Sequence, residues 1–146
     1  MSRMKETIHI RGVNHIQQAG EKQELIIDQK GTYFAHPHAF FIEYEEDFQG
    51  AKSRVRLKFD HKQGLTIKRS GHSVQATIPL ELGKRQSFLY RIKGLPNLSL
   101  ASELDQIEVE EFEEGGRINC HYRIFEDLDQ ELGQYQLQLK YTYDVV

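Results

Sequence analysis

The chain has a single cysteine, three prolines and no apolar run approaching the length of a membrane helix. A lone thiol, Cys120, cannot close an internal disulfide, and such sparing use of cysteine points to a reducing compartment. It also excludes zinc sites built on several thiolates. No segment comes near the roughly 18–20 consecutive apolar residues that cross a bilayer as a helix. The opening MSRMKETIHI lacks the apolar stretch of a secretion signal. Missing too are a G-x-S-x-G elbow, a phosphate loop and any metal framework. No segment carries a 3.6-residue apolar stripe, so no long helix is predicted. These absences leave a cytosolic, non-membrane protein with no expected cofactor or catalytic residue.

What is present suits a packed domain. Of 146 residues, 38% are apolar and fifteen are aromatic (seven Tyr, eight Phe), enough for one core and one domain spanning 1–146. The dominant period is two. Val55, Leu57 and Phe59 alternate with Arg54, Arg56 and Lys58, and Val74, Ala76, Ile78, Leu80 and Leu82 share one face. Ile118, Cys120, Tyr122 and Ile124 repeat the pattern, as do Tyr135, Leu137, Leu139, Tyr141 and Tyr143. Turn signals separate the runs at Gly20, His36-Pro37, Gly50, Gly64, Gly71, Gly83, Gly94-Leu95-Pro96, Gly115-Gly116 and Gly133. About ten sequential antiparallel strands follow. Each is half-buried and no helix can cover the apolar face, so the sheet must close or fold over. Short connections favour an all-β, up-and-down barrel of eight to ten strands, which leaves no open edge.

Registers follow from keeping apolar residues opposite one another. A turn between Gln49 and Gly50 pairs Phe40 with Phe59, Ile42 with Leu57 and Tyr44 with Val55. A loop around Lys62 pairs Phe59 with Leu65, Leu57 with Ile67 and Val55 with Arg69. A two-residue Gly71-His72 turn pairs Arg69 with Val74 and Ile67 with Ala76. Ser102 is expected opposite Phe88, and Cys120 opposite Leu139. Leu98, Leu100 and Leu104 hold one phase and Ile107 and Val109 the other, which a bulge near Asp105 would reconcile. Glu111 would then face inward opposite Cys120. A second phase shift, placing Phe112 inside and Glu111 outside, is the cheaper arrangement.

The runs Gly31-Thr32-Tyr33, Phe41-Ile42-Glu43-Tyr44-Glu45-Glu46, Leu65-Thr66-Ile67-Lys68-Arg69-Ser70-Gly71 and Gly116-Arg117-Ile118-Asn119-Cys120-His121-Tyr122 carry a resemblance along nearly the whole chain. With the Tyr-rich final strand, the sequence resembles the YwiB-like family of bacterial proteins, a domain of unknown function. That resemblance implies a calycin-like barrel, similar in shape to lipocalins and fatty-acid-binding proteins, in the bacterial cytosol. It brings no activity, ligand or catalytic residue. Pro96 and the acidic run 103–114 depart from the family pattern.

Candidate site residues come from the inward phase. Arg69 continues the Leu65–Ile67 face, where a guanidinium must be paired or reach water. It could hold a carboxylate or phosphate head group; alternatively it sits at the mouth with its stem packed and its head in solvent. Tyr33, Tyr44, Tyr90 and Tyr122 fall on inward phases with Tyr135, Tyr141 and Tyr143. They either line a cavity or fill the interior. Cys120 reads as a buried, inert thiol, and His36 and His38 as surface residues rather than metal ligands.

The formal net charge of −3 hides an uneven layout, with residues 1–51 at −3, 52–93 at +9 and 94–146 at −9. In a meander these become neighbouring basic and acidic sectors. Glu43 and Glu45, opposite Arg56 and Arg54, neutralise part of the basic face. No exposed aromatics accompany it, so nucleic acid is not the expected partner. The leading expectation is non-enzymatic binding of a small amphipathic or anionic ligand inside the barrel. Arg69, Tyr33, Tyr44, Tyr90 and Tyr122 are its candidate contacts. The alternative is an interaction module that docks a protein partner or a second copy as a homodimer through its charged sectors. An enzyme ranks third.

Overall fold

The structure, a computed structural model, describes residues 4–48, 51–60, 64–127 and 129–144. Ten strands follow one another as β1 (Met4–Gln18), β2 (Glu21–Ala35), β3 (Ala39–Phe48), β4 (Ala51–Asp60), β5 (Gly64–Gly71), β6 (Val74–Glu81), β7 (Arg85–Ile92), β8 (Leu98–Phe112), β9 (Gly115–Phe125) and β10 (Glu131–Tyr143). Each pairs antiparallel with its sequence neighbours, and β10 closes on β1 from Ile8↔Tyr143 to Gln18↔Gly133. Among the described residues no helix is long and apolar enough to cross a membrane. The alternating sequence explains the closure, because Ile8, Ile10, Ile42, Leu57, Leu104 and Ile118 meet inside the ring and are wholly buried. Each such side chain contributes on the order of 1.5–3 kcal/mol through burial.

The expected registers of β3 with β4 and of β4 with β5 are those observed, including Ile42↔Leu57 and Val55↔Arg69. The turns at Gly50 and around Lys62 that were expected to set them lie outside the described residues. A bulge also stands where the phase change required it, with the β8–β9 register shifting between Leu104 and Gln106.

Three expected registers are corrected, each by two residues, so every side chain keeps its face. Arg69 pairs with Ala76 rather than Val74, and Ile67 with Ile78 rather than Ala76. Gly71 does not take the positive φ of the expected turn. It stays in β5 opposite Ser53, where a Cβ would lie 2.7 Å from the Lys52 carbonyl oxygen. Close strand approach, not turn geometry, therefore explains this glycine. Phe88 pairs with Leu100 and Ser102 with Gln86, because the connection turns at Gly94 (φ 83°). Cys120 pairs with Leu137, since β10 carries an irregularity between Glu131 and Gly133.

The second phase shift in β8 does not occur either. Register runs unbroken from Gln106↔His121 to Phe112↔Gly115, so Glu111 faces Gly116, and Ile107 faces Cys120. Phe112 stays 40% exposed, and Glu111 is exposed as well. The desolvation cost that argued for a shift never arises, because Glu111 lies at the barrel rim in water.

Two seams interrupt the ring. Backbone pairing of β2 with β3 runs only from Thr32↔Glu43 to Ala35↔Phe40, and that of β6 with β7 from Val74↔Ile92 to Ala76↔Tyr90. Pro79 accounts for the second seam. The Ser102 hydroxyl donates to the Pro79 carbonyl across the gap. In a strand a residue's N–H points the same way as its C=O, so proline removes the donor that β7 would need. Past it, β6 reaches β8 instead through Leu82↔Leu104, and the Gly83 N–H donates to the Leu104 carbonyl at 3.2 Å.

Candidate functional site

One end of the barrel carries the β1–β2, β5–β6, β7–β8 and β9–β10 connections. There the lumen holds a cavity of about 380 Å³, whose lining includes Asn14, Glu46, Arg69, Tyr90, Tyr122 and Tyr135. Arg69 comes from β5 and Glu46 from β3, and Glu46 pairs with Ser53, which in turn stands opposite Gly71. Arg69 Nη2 lies 3.1 Å from Glu46 Oε1 and 3.2 Å from Oε2. The Arg69 side chain is 22% exposed and that of Glu46 9%. Burial is the largest single influence and works against the arginine charge, but the Glu46 carboxylate and the Tyr122, Tyr44 and Tyr90 side chains together outweigh it and hold its pKa above the usual value.

Two polar atoms in this lining have no hydrogen-bond partner among the described residues, Arg69 Nε and Asn14 Oδ1. Asn14 is only 6% exposed, on the same β1 face as Ile10 and Ile16. Buried polar groups left unpaired are uncommon and costly, which makes the pair informative. Tyr122 stacks on Tyr135, with centroids 5.0 Å apart, and the Gln18 amide donates to the Tyr135 hydroxyl. Burial raises the Tyr122 and Tyr44 phenols above their usual pKa, so both stay protonated donors at neutral pH.

Of the expected site residues, Arg69, Tyr90 and Tyr122 line this cavity. Tyr44 is buried beside the ion pair, whose two charges both act on its phenol. Tyr33 is not part of the group. It lies toward the other end of the lumen, 5.6 Å from the Phe40 ring and 5.7 Å from that of Tyr141, with Tyr143 edge-on at 5.4 Å. Lining a cavity and filling the interior are thus both realised, one at each end. Glu46 and Asn14 were missed, although phase alone marks both: Glu46 follows Phe40, Ile42 and Tyr44, and Asn14 follows Ile8, Ile10 and Gly12.

The remaining candidates lie elsewhere. Cys120 is buried, and desolvation pushes its thiol up to about 12, so it is no nucleophile at neutral pH. His36 packs its ring 5.6 Å from Phe41 on the outer surface. Ion pairs neutralise part of both the basic and the acidic sector. Arg56 meets Glu43 at 2.9 Å, Arg85 meets Glu103 at 3.1 Å, and Arg123 binds Glu103 and Asp105 at 2.8 Å each. The Arg85 and Arg123 guanidiniums also cover the Phe125 ring, at 3.7 and 5.2 Å. Arg56 lies 4.7 Å over Phe41, so one aromatic does border the basic face.

The fold resembles that of the ywiB protein from Bacillus subtilis, with a TM-score of 0.81 and 18% identity over 97% of this chain and 94% of that one. A structural-genomics protein of unknown function from Bacteroides ovatus aligns with a TM-score of 0.42 and 12% identity, over 95% of this chain and 41% of that one. No curated protein matches the sequence. The family described as a domain of unknown function, DUF1934, matches residues 8–139, and the chain belongs to it.

Proposed function

We propose that this protein binds a small amphipathic molecule inside its barrel, without catalysing a reaction. The observation that carries this reading is the cavity of about 380 Å³, in which apolar walls surround the Arg69–Glu46 pair and the Tyr90, Tyr122 and Tyr135 side chains. Small-molecule sites combine these features, and they commonly occupy about 300–1,000 Å³. Of the five contacts expected from the sequence, Arg69, Tyr90 and Tyr122 are retained and Tyr33 is not; Asn14 and Tyr135 join them, and Tyr44 supports the arginine. The buried, unpaired Cys120 supports a role in a reducing compartment, which we take to be the cytosol.

The test is an amide-resolved NMR titration of the full chain with octan-1-ol. Saturable shifts at Leu100, Ile124 and Tyr135, abolished when Leu100→Trp fills the cavity, are expected. Absence of saturable shifts, or shifts unchanged in the variant, would overturn the reading.

A further inference from the structure

The β6–β7 seam also shapes the outside of the barrel. Where the ladder ends past Ala76↔Tyr90, a groove of about 640 Å³ lies along it, and its lining includes Lys68, Gln75, Thr77, Ser87, Leu89 and Arg91. All six are exposed, on the face opposite to the inward Ala76, Phe88 and Tyr90. The charged residues of this lining are all cations, namely Lys68, Arg91 and the inward-turned Arg69.

Strand register makes the positive surplus local. Arg56 stands opposite Lys68, and Lys68 opposite Thr77; one row further, Ser70 stands opposite Gln75, and Gln75 opposite Arg91. Like charges directly opposite one another on a sheet are unfavourable. Glu43 answers Arg56 at 2.9 Å, on the side away from the groove, but Lys68 and Arg91 have no acidic partner among the described residues. An anion seated in the groove would supply the missing charge. The surrounding side chains add donors, because the Ser70, Thr77 and Ser87 hydroxyls and the Gln75 amide have no hydrogen-bond partner among the described residues. Two strand spacings and a two-residue offset put the Lys68 and Arg91 Cα atoms about 12 Å apart, a separation suited to two anionic groups rather than one.

We infer that this groove binds a small oligophosphate, with one phosphate held by Lys68, a second by Arg91, and the Thr77, Ser87 and Gln75 side chains donating between them. Phosphate oxygens at neutral pH are acceptors, and charge-assisted bonds to them are the strong ones. The site lies outside the lumen and does not depend on the ligand-binding reading above.

The experiment is an NMR titration of the full chain with sodium triphosphate at about 0.15 M ionic strength, where diffuse surface attraction is largely screened. Saturable shifts at the Thr77, Ser87 and Leu89 amides are expected. Lys68→Gln/Arg91→Gln should weaken binding about tenfold or more. Lys58→Gln/Lys84→Gln removes the same charge outside the groove and should change affinity less than about twofold. Orthophosphate, which cannot reach both cations, should bind about tenfold more weakly than triphosphate. Absence of saturable shifts, or equal losses in the two variants, would mean a solvated basic face and overturn the assignment. Orthophosphate binding as tightly as triphosphate would overturn it as well, and so would tighter binding of a hexaglutamate peptide, which would make the groove a site for acidic polypeptide.

Discussion

Arg69 and Glu46 form an ion pair inside the barrel, one guanidinium nitrogen reaching both carboxylate oxygens at 3.1 and 3.2 Å. Attraction between such groups must first offset their desolvation, so the pair itself adds little stability, whereas losing one partner strands the other. Arg69 keeps some contact with water, so Glu46→Leu should cost about 2–3 kcal/mol, less than the ~3–5 of a fully enclosed pair. The double variant Glu46→Leu/Arg69→Met should recover most of that loss. Chemical denaturation of the two single variants and the double variant measures the coupling, and additive losses would contradict it.

Stability should be flat through neutral pH and fall in alkali. Desolvation raises the Tyr44, Tyr122 and Tyr141 phenols above their ordinary 10.0, and lifts the Cys120 thiol from 9.0 to about 12. Between those limits the folded chain holds protons that the unfolded chain releases, so stability declines as pH rises. The contribution is complete below about pH 9 and is lost progressively above it. Denaturant midpoints should hold constant up to that point and then drop. Tyrosinate absorbance for these rings should appear only with unfolding, and Cys120 should react with a thiol reagent only in denaturant.

Much of this was legible in the period-two pattern. Phase told which face each residue takes, and a two-residue register error leaves the face unchanged, so the barrel and the inward Arg69 survived three misplaced registers. The errors fell at Gly71, Gly94 and Leu132, where loop geometry rather than hydrophobicity fixes the count. The bulge at Asp105 could be read because it reverses a phase, as Leu104 and Ile107 both had to face inward. Glu46 escaped notice because its neighbours Glu43 and Glu45 point outward and make an acidic run look uniformly solvated. Its partnership with Arg69 spans two strands and cannot be read from either alone. The seam at Pro79 was equally hidden, since proline's effect depends on which neighbour its missing N–H would have faced.

The β1–β2 hairpin turns through Ala19 and Gly20, both at positive φ, 50° and 78°. Closure directly after the Gln18↔Glu21 pair, with two positive φ values, fits a type I′ turn, which favours Asn-Gly. Alanine has no side-chain group to compensate the left-handed conformation, whereas asparagine tolerates it. Ala19→Asn should therefore stabilise the fold by about 0.5–1 kcal/mol, seen as a higher denaturation midpoint with an unchanged slope. A loss of stability would argue against this turn.

At the β2–β3 seam a side chain takes over where the backbone ladder stops. The Gln29 amide donates to the Glu45 carbonyl and accepts from the Glu45 N–H at 3.2 Å, offering the donor and acceptor that a paired strand residue would. Glu46 follows directly, so the same clamp sets where its carboxylate meets Arg69. Gln29→Ala should remove both bonds while leaving the buried core untouched. A net loss of about 1 kcal/mol for one such bond corresponds to roughly five- to tenfold faster local opening. Hydrogen exchange at the Glu45 amide should accelerate by that factor, with Leu57 in the continuous β3–β4–β5 ladder as the unchanged control. Equal exchange at Glu45 in both proteins would mean that the seam is held closed by the neighbouring strands and not by this amide.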